Sequence, residues 1–245
     1  MADENSTKSK NTKLPRVLIV LGIPAAVFII VWFAFLRTYI NRHFHDVEVE
    51  RARITKAEKV DIGGKGIIVS FTRVGNTDFD PDVDAVSSAS LMLADGKLAG
   101  NSEILSEMIA NATGYDEYAI RTVGKYPSGY GATTAQARTE MTSGEELPIV
   151  DDIPDMSEYD TVIMVYPIWW GTIPEAVKTF FNHTELGGKT IYSVVTHGGS
   201  YFGSTIKDSA KYTKGTLSEN NLAVFDKDVI NSLPDVTGWL KTIKQ

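Results

Sequence analysis

The chain has 245 residues, 43% hydrophobic and 22% charged, with no cysteine, four histidines and a formal charge of −7. That length suits one domain with an appendage, and the missing cysteine excludes disulfide scaffolds, Cys-ligated zinc, iron–sulfur clusters and thiol nucleophiles. Without cysteine, any redox chemistry must sit on a bound cofactor, and the acidic balance argues against nucleic acid as a partner, because phosphate backbones are bound through Lys and Arg.

The charge is divided unevenly. Residues 1–43 hold six Lys and Arg against two acids, a charge of +4, which leaves −11 for the remainder. Residues 1–16 are polar and basic and read as a disordered tail. Residues 17–36, VLIVLGIPAAVFIIVWFAFL, carry no formal charge over 20 positions, long enough as a helix to cross a hydrocarbon core of roughly 30 Å. The run ends in Trp32, Phe33, Phe35 and Leu36 rather than in the small residues of a cleavage site, so it reads as a retained transmembrane helix in contact with lipid. Lys8, Lys10, Lys13 and Arg16 precede it and only Arg37 and Arg42 follow closely. The positive-inside rule then predicts an N-in, C-out single pass with an extracytoplasmic domain. Residues 37–64 read as a juxtamembrane linker. His43 and His45 have the spacing of a metal pair but no further ligand nearby, so no metal site is assigned.

From residue 65 onward strands and helices alternate. Gly66–Phe71 is a short buried-strand pattern. Leu91–Leu93 and Lys97–Ala99 flank Asp95-Gly96, a hairpin signal. Ile104, Leu105, Met108 and Ile109 mark an amphipathic helix that Asn101 or Ser102 would cap. Tyr118–Ile120 is a weak strand, and residues 132–141 read as helix. Thr161–Tyr166 is the strongest strand. Pro174–Phe181 is a helix with Pro in its first turn, Ile191–Val195 a strand, Ser204–Tyr212 a helix, Leu222–Phe225 a strand and Asp235–Ile243 a closing helix. The alternation predicts a doubly wound, three-layer α/β domain with a parallel sheet over residues 65–245.

Ligands of such folds bind beyond the carboxyl ends of the strands, so three loops carry the functional signal. Thr72-Arg73-Val74-Gly75-Asn76-Thr77 offers hydroxyls, an amide and a glycine suited to an anion, and lacks the Lys-Ser/Thr of a nucleoside-triphosphate loop. Pro167-Ile168-Trp169-Trp170-Gly171-Thr172 sets two indoles at the mouth of the sheet, where a flat ligand could stack. Thr196-His197-Gly198-Gly199-Ser200-Tyr201-Phe202-Gly203 lets backbone amides approach a ligand, with His197 a candidate proton donor. Asp78, Asp80, Asp82 and Asp84 alternate as in a calcium loop, but Val83 and Ala89 stand where Gly and Glu are needed.

Together these loops resemble the flavodoxin family, in particular its flavodoxin-like FMN oxidoreductase branch; Lys125-Tyr126-Pro127 is similar to a Tyr-Pro segment there. The resemblance covers residues 65–243 and implies one noncovalent FMN. Its phosphate would lie at Thr72–Thr77 and at Gly100-Asn101-Ser102, its ring near Trp169 or Trp170, and its pyrimidine edge would receive the amides of Gly198 and Gly199, with Tyr126, Thr196, Phe202 and Gly203 nearby. The stretch Asp84–Ser90 is faintly similar to the acceptor segment of covalently flavinylated domains, with Ser where those use Thr. A simple flavodoxin has no counterpart of the insert at residues 78–100. Joined to the uncharged run at 17–36, and to a domain of −11 with stacking aromatics that would disfavour an anionic reduced flavin, the resemblance gives the expectation of a membrane-anchored flavoprotein of low potential, passing electrons between a donor and an acceptor that the sequence does not name. Two other readings stay open: an NAD(P)H-dependent quinone or azo reductase, and a binding module without redox function.

Overall fold

The computed structural model describes residues 27–33, 48–79 and 89–243. It divides into two units, residues 1–42 and 43–245. In the first, residues 27–33 are helical, their side chains are all exposed, and the rings of Phe28 and Trp32 stack 6.2 Å apart. Among the described residues no helix is long and apolar enough to cross a membrane. Most of the expected span at residues 17–36, together with the basic tail and the acidic run from Asp80 to Asp84, lies outside the described residues.

The second unit is built on parallel strands β1 (Gly66–Ser70), β4 (Asp116–Ala119), β5 (Thr161–Pro167), β6 (Thr190–His197), β7 (Thr216–Leu217) and β8 (Leu222–Phe225), interleaved with a hairpin β2 (Leu91–Ala94) and β3 (Lys97–Gly100). Helices α1 (Arg51–Thr55), α2 (Asn101–Thr113), α3 (Tyr130–Ser143), α4 (Glu175–His183), α5 (Thr205–Ser209) and α6 (Leu233–Thr242) complete it. The sheet order is β4-β1-β5-β6, with β7 and β8 sharing the far edge of β6. Side chains of β1 and β5 alternate between two cores. Ile67, Val69, Val162, Met164 and Tyr166 pack with Phe180 and Phe181 of α4, while Ile68, Ile163 and Val165 pack with α2 and α6. A sheet covered on both faces explains why β5 is buried at all seven positions.

Several elements differ from the sequence reading. The linker expected at 37–64 is part of the domain from at least Val49: α1 lies within it, and Val49, Ile54, Ala57, Val60 and Ile62 are buried in the α2/α6 core. Helix α2 starts one residue earlier than a cap at Asn101 requires and two earlier than a cap at Ser102 requires: Gly100 is the N-cap, and Glu103 accepts its amide at 3.1 Å. Pro174 likewise caps α4 from outside the helix. Residues 204–212 form only the short α5 followed by turns. The last strand of the sheet is broken in two. At the break Asn221 Oδ1 accepts the Ser193 amide at 2.7 Å, so a side chain fills the gap in the ladder.

Candidate functional site

After β1 the chain moves to β4 on one side and returns to β5 on the other, so the strand order reverses between β1 and β5. Residues 71–77 and 167–172 leave the sheet at that point, where doubly wound folds hold ligands. A cavity of about 340 Å³ opens there, lined by residues including Arg73, Ala89, Thr133, Trp169, Trp170 and Gly198; its size suits a small-molecule site.

At one end, the loop after β1 meets the first turn of α2. A Cβ at Gly100 would lie 2.2 Å from Thr72 Oγ1, so the two segments touch. The hydroxyls of Thr72, Thr77 and Ser102 are buried there with no hydrogen-bond partner among the described residues. Leaving such groups unpaired is costly, and hydroxyls beside the N-terminus of a 13-residue helix suit an anion. Asn76, expected among the ligands, is used otherwise. Its Nδ2 donates to Thr72 O and Ile120 O at 2.8 and 3.0 Å, and its Oδ1 accepts from the Thr122 amide at 2.8 Å. It therefore joins the loops after β1 and β4. Val74 and Gly75 form a turn within the loop after β1, bridged from Val74 to Thr77, with Lys125 Nζ donating to Gly75 O at 2.6 Å. Arg73 is 1% exposed and donates through Nη2 to Pro127 O and Ser128 O at 2.9 and 2.8 Å, pinning the segment that leads into α3. Asn101 is the first residue of α2, and its amide donates to Ser90 O at 3.0 Å.

At the other end, Trp169 and Trp170 have separate roles. Trp169 turns inward, edge-on to Phe71 and Tyr126 at ring distances of 5.4 and 5.1 Å, and its Nε1 donates to Ser90 Oγ at 2.8 Å. Trp170 is 53% exposed over α3, donates to Thr134 O at 3.1 Å and carries the Arg138 guanidinium 5.0 Å from its ring. Mutual bonds between Trp169 and Thr172 close a tight turn with Trp170 at φ 50° and Gly171 at φ 80°. Two successive left-handed residues define a type I′ turn, which glycine adopts freely and tryptophan does not. Pro167 and Ile168 complete this loop; Ile168 lines the cavity and its amide donates to Thr196 O at 2.8 Å.

The loop after β6 packs against that turn. A Cβ on Gly203 would lie 2.1 Å from Gly171 O, and the Ser204 amide donates to that same oxygen at 2.8 Å. Asp208, from α5, accepts from Thr172 Oγ1 at 2.6 Å, from Ser204 Oγ at 2.5 Å and from Lys211 Nζ at 2.6 Å. The Lys211 ammonium foremost, then the two hydroxyls, hold its carboxyl at about 2. Asp208 thus fastens the loops after β5 and β6 together, a role its position in the sequence does not announce.

His197 is 8% exposed, and its Nδ1 accepts the Gly199 amide at 3.0 Å, which assigns the proton of the neutral ring to Nε2. Burial holds the imidazole below its usual range, against the pull of Asp228. Of the two amides expected at a pyrimidine edge, Gly199's is therefore committed to His197 and Gly198's remains the candidate. Thr196 is fully enclosed and its Oγ1 donates to Ala89 O. Tyr126 is 2% exposed, packed behind Trp169, and donates to Glu140 Oε2 at 3.0 Å; burial raises its pKa strongly. Phe202 is half-buried, edge-on to the exposed Tyr201. Among the described residues no three His, Asp or Glu side chains cluster as metal ligands.

The family model for flavodoxin matches residues 90–241, more than half of the chain. The chain belongs to the flavodoxin family. No curated protein matches the sequence. Among solved structures, a candidate flavoprotein of Bacteroides eggerthii is 20% identical with a TM-score of 0.49, covering 71% of this chain and 99% of its own. A flavoprotein of Lactobacillus acidophilus, solved in complex with FMN, is 14% identical with a TM-score of 0.47, covering 70% of this chain and 99% of its own. The matched region of this flavodoxin-family chain begins at residue 90 and so includes the loops after β5 and β6, while the loop at 72–77 lies before it.

Proposed function

We propose that the domain binds FMN noncovalently in the slot between β1 and β5 and serves as a membrane-anchored electron-transfer or reductase flavoprotein. The observation that carries this reading is the set of three buried hydroxyls, Thr72, Thr77 and Ser102, without a partner among the described residues, at the N-terminal end of α2. They fit a phosphate ester. The Gly100 and Asn101 amides are already engaged by Glu103 and Ser90, so the hydroxyls would supply much of the binding. Trp170, Gly198 and Ser200 line the cavity where the flat ring would lie, and Arg73 places a buried cation beside it. FMN, when bound, supplies hydride and one-electron chemistry; the chain's part is to position it and shield it.

An anchor at residues 17–36 is supported by the uncharged run and by the seven apolar, exposed helical residues 27–33, and an exported domain by the N-terminal Lys and Arg. Titrating the purified full-length chain with FMN tests the cofactor reading: binding quenches and shifts the flavin spectrum, and unaltered FMN spectra at saturating protein would sink it. Rapid flavin reduction by NAD(P)H alone would favour a turnover enzyme over a carrier. Protease treatment of intact cells tests orientation, a protected domain contradicting export.

A further inference from the structure

The inserted segment before α2 reaches into the site through two residues. Ser90 is fully enclosed. Its hydroxyl accepts Trp169 Nε1 at 2.8 Å, and its carbonyl accepts the Asn101 amide in the first turn of α2. Its neighbour Ala89 lines the cavity and accepts the Thr196 hydroxyl from the end of β6. Ala89 and Ser90 therefore join the phosphate-end helix, the β5 loop and the β6 strand.

Resting on the FMN reading, we propose that Ser90 is a positioning residue, holding the Trp169 indole in the orientation it presents to the ring end of the slot. Phe71 and Tyr126 meet the indole edge-on, which limits its tilt, and the Ser90 hydroxyl accepts its N–H, which favours this orientation over the flipped one in which the N–H would lose that partner. Because the Ser90 backbone is tied to α2, the indole is indexed to the same helix that would carry the phosphate. The insert thereby acts as a ruler between the two ends of one ligand, which gives this extra segment a function within the site.

The test uses the full-length chain with ¹⁵N-labelled indoles, without flavin, and then an FMN titration. In the wild type the Trp169 indole proton exchanges slowly with solvent; in S90A its resonance moves and exchange accelerates. Loss of one neutral hydrogen bond predicts an FMN dissociation constant about two- to tenfold higher in S90A. In a W169F background, which retains the aromatic ring but has no N–H, S90A should add nothing. A general loosening of the hairpin would instead weaken FMN binding equally in both backgrounds and would overturn the proposal. An indole signal unchanged by S90A would overturn it too, even if FMN binds. Failure of the wild type to bind FMN would defeat the functional reading, and the exchange measurement would still decide whether Ser90 sets the indole.

Discussion

Asp208→Asn is the sharpest test of how the loops after β5 and β6 are held. The substitution keeps the shape of the side chain and removes its charge, and the new amide has to face the Lys211 ammonium and two hydroxyls that now donate to a carboxylate. The carboxyl lies at about 2, against about 3.9 for an unperturbed Asp, and each unit corresponds to about 1.4 kcal/mol. The full shift would be about 2.5 kcal/mol; with the side chain 21% exposed, solvent screening reduces this to about 1–2 kcal/mol. For a domain of this size that lowers the unfolding midpoint by about 3–6 °C at pH 7. The sign with pH follows from a folded pKa below the unfolded one. The stabilisation is complete above about pH 4 and is lost as pH falls through about 2, so wild type and variant converge in acid. Denaturant unfolding of both proteins at pH 7, 4 and 2.5 reads this directly. Equal stability at pH 7, or a gap that persists undiminished at pH 2.5, would refute the assignment of Asp208 as an ionised clamp.

Two glycines give further predictions. Gly203→Ala places a Cβ 2.1 Å from the Gly171 carbonyl at a left-handed φ of 51°, and a backbone oxygen cannot rotate away. We expect a loss of about 2–3 kcal/mol and at least tenfold weaker FMN binding, measured by thermal unfolding and fluorescence titration. Gly100→Ala brings a Cβ to 2.2 Å from the Thr72 hydroxyl, which can rotate, and to 2.9 Å from its Cβ, which cannot, so the two segments must part slightly and stability should fall by about 1–3 kcal/mol. FMN binding should weaken while riboflavin, which has no phosphate, binds as before; equal losses for both ligands would contradict a phosphate site at this contact.

The framework was legible because its signals are local. The uninterrupted apolar run of β5, the Asp95-Gly96 turn and the 3.6-residue stripe of α2 each lie within one short window. Helix α1 escaped notice because five residues with one buried side chain, Ile54, carry no period. β7, at two residues, is shorter than any alternation, and Asn221 stands in for part of its ladder. The site divides in the same manner. The three loops could be found from their residue types, yet the roles within them depend on partners distant in sequence. Asn76 looks like a ligand until Ile120 and Thr122 occupy its amide. Gly199 looks like a donor to a cofactor until His197 Nδ1 accepts the hydrogen bond of its amide. Asp208 lies 36 residues from Thr172 and Ser90 lies 79 from Trp169, so no motif could have joined either pair.

Strain ties these observations to ligand binding. Trp170 at φ 50° and Tyr201 at φ 53° are bulky L-residues in the left-handed region, on the two loops that face one another across Gly171 and Gly203. Each costs about 1–2 kcal/mol, and with exposures of 53% and 61% neither regains it by burial. If the indole of Trp170 is kept for a ligand rather than for the fold, then Trp170→Gly should relieve the backbone at the loss of one exposed hydrogen bond and a cation–π contact with Arg138. These contributions are each about 0.5–1 kcal/mol, so unfolding stability should change by less than about 1 kcal/mol in either direction. FMN affinity should nonetheless fall at least tenfold. A large destabilisation in W170G would show that the strained indole is held for folding, and unchanged FMN affinity would show that the ring does not stack on it.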